Sequence, residues 1–116
     1  MSKSLGKLID QTIEVLRRDG WTVEVLEKTG PGWVGADPPA HLDAPIGAKC
    51  LFGAFNTAHH GNPYWHVGDE AREKFDAAVA EFIAALSFGT VWDAVKWNNA
   101  QTSAAPVIER LEAARR

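Results

Sequence analysis

The chain has 116 residues, 46% hydrophobic and 23% charged, a soluble globular composition outside the disordered class that predicts a single domain over residues 1–116, which the apolar periodicity below makes helical. Its 12 Lys and Arg stand against 15 Asp and Glu, and the formal net charge of -3 argues against a protein that holds nucleic acid by bulk charge. The one cysteine, Cys50, excludes an intrachain disulfide and any multi-cysteine zinc site.

The N-terminus starts basic, but Asp10, Gln11 and Glu14 interrupt any apolar run, so it reads as neither a signal peptide nor a membrane span. No other stretch approaches the ~18–20 apolar residues that a bilayer requires, and the expected compartment is the cytoplasm. From about Ser4 to Asp19, Leu5, Leu8, Ile9, Ile13 and Leu16 form one stripe of helical period. Arg17 and Arg18 suit the last turn, and Gly20 supplies the stop.

After Gly20 the pattern turns β-branched and partly alternating through Thr22–Glu27. Gly30-Pro31-Gly32 and then Trp33-Val34 follow, which suggests a small hairpin. A hairpin alone is marginal in water, so this one must rest on the helices. Asp37-Pro38-Pro39 reads as an extended loop.

A second, central helix is expected from Ala44 to Ala58, with Ile46, Cys50, Leu51, Ala54, Phe55 and Ala58 on a broad apolar face. His59 to Gly68 reads as a loop bounded by turn residues, and Asp69 as the N-cap of a third helix running to about Ser87. Phe75, Val79, Phe82, Ile83 and Leu86 make its stripe, while Ala77, Ala80, Ala84 and Ala85 flank it and invite close approach by another helix or a second copy. Gly89 is read as its break. The following Thr90–Trp97 fits a helical turn or a brief strand, and the sequence leaves that open. Asn98-Asn99 is expected to turn the chain, and Thr102 or Ser103 to cap a last helix with Pro106 in its first turn. The fold class is mainly α: a compact bundle of four to five helices, with a small β-hairpin after the first as an optional addition.

Two strings carry a resemblance. Cys50-Leu51-Phe52-Gly53-Ala54-Phe55 resembles a Cys-Leu-Leu-Gly-Ala-Leu helix segment. Trp97-Asn98-Asn99, followed by Thr102-Ser103 and Val107, resembles a Trp-Asn-Asp…Thr…Glu-Val segment that opens a C-terminal helix. Both occur in this order in a family of small proteins from actinobacteria and their phages. The resemblance implies no activity.

The candidate chemistry is sparse. His41, His59, His60 and His66 crowd one stretch, and His59 or His60 with His66 and Asp69 could supply three metal ligands, but no zinc spacing is present and no metal is expected. Cys50 falls on an apolar face, where a lone cysteine is usually a small hydrophobe. Asp69, Glu70, Glu73 and Asp76 share their helix with Arg72 and Lys74, which marks a charged exterior. No phosphate loop or dinucleotide unit occurs, and no cofactor is expected.

Trp21, Trp33, Trp65, Trp92 and Trp97 are many for one small core, so some should lie partly exposed. The expected function is therefore a non-enzymatic binding or regulatory accessory protein working through protein–protein contacts, as a homodimer or with another chain. Tyr64, Trp65, His66, Trp97, Asn98 and Asn99 are the candidate interface or ligand-binding residues. The alternative is a small-ligand or nucleotide binder with a Trp-lined pocket, and third comes a metal-dependent hydrolase built on the histidine-rich stretch.

Overall fold

The computed structural model of the protein describes residues 4–23, 27–28, 33–34, 48–61, 63 and 69–115. The first helix, α1 (Leu5–Asp19), forms where the apolar stripe predicts it. Ser4 caps it, its hydroxyl accepting a hydrogen bond from the Lys7 amide at 3.3 Å, and Gly20 closes it at a φ of 93° that few other residues adopt. Thr12 is buried on the inner face because its hydroxyl donates to the Leu8 carbonyl at 2.6 Å, which satisfies it without water.

Three two-residue strands follow: β1 (Glu27–Lys28), β2 (Trp33–Val34) and β3 (Ala48–Lys49). They form an antiparallel sheet in the order β2-β1-β3, with Glu27 opposite Val34 and Lys49. The hairpin is present, and a third strand covers the other side of β1. Ala48–Lys49 corrects the expectation of a helix from Ala44; Ala44–Gly47 lie outside the described residues. The cause is tertiary. The Lys49 amide donates to the Gly20 carbonyl at 2.9 Å and the Thr22 amide donates to the Lys49 carbonyl at 3.0 Å, so both backbone groups are taken by the chain leaving α1.

The second helix, α2 (Leu51–His60), starts at the extended Cys50 and ends at Gly61, whose φ is 87°. Leu51–Asn56 and Ala58 are buried, which makes this the central helix that its composition suggests. It runs through His59 and His60, which therefore occupy a last helical turn rather than the expected loop.

The third helix, α3 (Asp69–Ala85), buries Phe75, Val79 and Phe82, with Leu86 buried just beyond its end. Its terminus is completed before Gly89 by Ser87, which among the described residues is the non-glycine residue with positive φ (66°). The Phe88 amide donates to the Ile83 carbonyl at 2.9 Å and the Ser87 amide to that of Ala84 at 3.0 Å, the reciprocal pattern of a left-handed helix terminus. Ala77, Ala80 and Ala84 are exposed.

The stretch that the sequence leaves undecided is a helix, α4 (Val91–Ala100), capped by the Thr90 hydroxyl, which accepts from the Asp93 amide at 3.1 Å. Asn98 and Asn99 lie inside it instead of turning the chain. The last helix, α5 (Ala104–Arg115), begins directly after Ser103, with Pro106 in its first turn and Val107 and Leu111 buried.

The helices close on phenylalanine. Phe55 stacks on Phe82 with centroids 4.3 Å apart, and Phe52 meets both edge-on. α1 packs chiefly on α2 and α5, and Arg17–Glu112 and Arg115–Asp10 ion pairs tie α1 to α5 at the surface. Among the described residues no helix is long and apolar enough to cross a membrane.

Candidate functional site

Asn98 is the junction of the fold. α4 turns it inward to 2% exposure, and its carboxamide oxygen accepts hydrogen bonds from the Trp21 indole N–H at 2.8 Å and the Leu51 amide at 3.3 Å. Its nitrogen donates to the Thr22 carbonyl and to Asn99 Oδ1, both at 3.4 Å. One side chain thus joins the exit of α1, the first turn of α2 and the body of α4. Leu51 N–H is one of the amides that a helix start leaves without an internal partner, so Asn98 also acts as a remote cap.

Cys50 completes that cap, its sulfur accepting from the Gly53 amide at 3.4 Å. Burial pushes the thiol pKa up, and the backbone N–H groups of Gly53 and Phe52 only partly offset this. The sulfur is accordingly held as a neutral thiol, in a structural position.

Below this junction a charged group is buried. Lys49 Nζ lies 2.7 Å from Asp19 Oδ2, with side-chain exposures of 2% and 5%. Arg18 clamps the same carboxylate through Nε at 2.9 Å and Nη2 at 3.1 Å. The Arg18 hydrogen bond, together with Lys49, holds the Asp19 carboxyl below its ordinary pKa, against burial, which raises it. Sequence reasoning missed this group; its one local signal is a lysine flanked by small apolar residues.

The two described histidines meet at the end of α2, with their Nδ1 atoms 2.9 Å apart. Their ring centroids are 5.1 Å apart, and the short nitrogen–nitrogen approach suits one ring donating a hydrogen to the other. Both rings contact Phe75, at 5.1 Å for His59 and 5.3 Å for His60. Asp69 is exposed at the start of α3. Among the described residues no three His, Cys, Asp or Glu groups are placed to hold a metal ion.

The aromatic candidates divide. Trp97 is half-buried, 5.5 Å from the Phe88 ring, and Arg110 lies over both. Trp92 is 64% exposed, the large hydrophobic residue that the described core leaves in solvent. Tyr64, Trp65 and His66 lie outside the described residues, so the structure brings together Trp97, Asn98 and Asn99 alone of the expected set. Arg110 had no sequence signal, because its ring partners come from two other segments.

These features define a small, mainly α protein with a short antiparallel sheet, organised around a buried asparagine. Its residues 2–116 match the Family of unknown function (DUF6197), and the chain belongs to that family. No curated protein and no solved structure matches it.

Proposed function

We propose that this protein is a non-enzymatic binding or regulatory accessory protein that acts through contact with another protein chain. The observation that carries the reading is Trp92. An indole 64% exposed on α4 leaves aromatic surface in water, and tryptophan is among the residues that most often anchor protein interfaces. The exposed Ala77, Ala80 and Ala84 of α3 offer a face that permits close approach by a second copy, so homodimerisation is a corollary. Tyr64, Trp65 and His66 extend the candidate contact set. The Cys50–Phe55 and Trp97–Val107 strings support an origin in actinobacteria or their phages, and the cytoplasm is the proposed compartment.

The small-ligand alternative draws no support from Asn98, whose carboxamide is engaged within the fold. The test is capture from host cells, comparing the intact protein with Trp92→Ala. A discrete partner, or self-association in sedimentation, that the variant loses while keeping its fold supports the proposal. Identical recovery and identical sedimentation by both proteins contradict it.

A further inference from the structure

Arg17, Arg18, Arg72 and Arg115 each pair with a carboxylate: Glu112, Asp19, Asp76 and Asp10 respectively. Arg110 differs. Among the described residues it has no acidic partner, and its one hydrogen bond runs from Nε to the Leu86 carbonyl at 2.8 Å. Its guanidinium carbon sits 3.9 Å from the centroid of Phe88 and 4.8 Å from that of Trp97. Stacking on two rings and a tether at Nε fix the plane of the group, while the two terminal nitrogens make no hydrogen bond to a described residue.

The same arginine lines a hollow of about 220 Å³ whose other walls are Ala85, Leu86, Ser87, Ala113 and Ala114. That volume lies below the range of ordinary metabolite pockets, about 300–1,000 Å³, so it suits a small group. The polar side chains among its lining residues are those of Arg110 and Ser87. Ser87 is itself unusual there. It adopts φ 66° at the end of α3, where glycine carries no steric penalty, yet a serine stands there and shares the lining of the hollow with the arginine.

We propose that this hollow is an oxyanion-binding site, taking a carboxylate or phosphoryl group on the terminal nitrogens of Arg110 with the Ser87 hydroxyl as a further donor. A preset guanidinium fork matches the two oxygens of either group, which is the geometry that makes arginine preferable to lysine for these ligands. The site does not depend on Trp92 or on a protein partner.

The test is a titration of the full chain with sodium phosphate and, separately, sodium acetate, at ionic strength held constant with sodium chloride. It is followed by NMR of the backbone amides and arginine Nε–H groups. Saturable shifts confined to Arg110, Ser87, Ala113 and Ala114, at millimolar anion, are expected, and the stronger of the two arms identifies the oxyanion. Arg110→Lys should weaken binding at least several-fold. Because that change also removes a helix-end contact, Ser87→Gly serves as the second variant: it keeps the arginine and a folded α3 terminus, and should weaken binding while raising Tm. Shifts spread over all the arginines, no saturation, or unchanged binding in the folded variants would overturn the proposal.

Discussion

Asn98 shows how much one carboxamide can decide. Truncation to alanine strands the buried Leu51 amide and takes their partner from the half-buried Trp21 indole N–H and Thr22 carbonyl. An unsatisfied buried group costs about 1–3 kcal/mol, and the three share one relaxing cavity. Asn98→Ala is therefore expected to lose about 2–4 kcal/mol in urea unfolding, with the Trp21 indole resonance moving to a solvent-like position. Ser87 argues in the other direction. A left-handed conformation costs a residue with a Cβ roughly 1–2 kcal/mol, so Ser87→Gly is expected to raise stability by about 1 kcal/mol, read as a higher Tm. Ser87 does not declare itself in the sequence, and Asn98 does so only as a turn and candidate binding residue. Paired asparagines favour turns through local hydrogen bonds, and the long-range contacts that override this at Asn98 come from segments 77 and 47 positions away.

At the scale of elements, legibility follows from how each helix is solvated. α1 and α3 present one face to the core and charged residues to water, so their period is plain in the sequence. α2 is buried on nearly every side, and a helix without a polar face gives no marker for where it starts. Its true start depends on β3, which is held by the backbone leaving α1 and by the Lys49–Asp19 pair. That pair makes the junction sensitive to acid. The folded Asp19 carboxyl lies below its unfolded value, so the unfolded chain binds the proton more readily. The resulting stabilisation is complete above the ordinary carboxylate pKa of about 3.9 and is lost as pH falls through it toward the lower folded value. Asp19→Asn should flatten this part of the stability profile. It should also destabilise the fold at neutral pH, because it removes a carboxylate that pairs with a buried lysine. Chemical unfolding at a series of pH values tests both. α4 was ambiguous for a different reason: its buried residues are Ala94 and Asn98, too small and too polar to draw an apolar stripe.

Across the whole molecule, the division of labour between aromatic types is clear. Phe52, Phe55, Phe75 and Phe82 fill the core at 1% exposure or less, which leaves Trp21, Trp92 and Trp97 to its margins. Trp21 and Trp97 are half-buried, and Trp92 faces solvent. The excess of indoles in the composition thus pointed toward exposed aromatic surface, while its strongest position was not legible, because α4 had no clear period. Since Trp92 contributes little to the core, Trp92→Ala should change unfolding free energy by no more than about 0.5 kcal/mol. The contact proposed for it should be lost nonetheless. Hydrogen exchange of α4 amides, compared between the free protein and its complex recovered from host cells, tests that assignment most directly. Slowed exchange from Val91 to Lys96 on complex formation, abolished in Trp92→Ala, is the predicted result; protection elsewhere with α4 unchanged would contradict it.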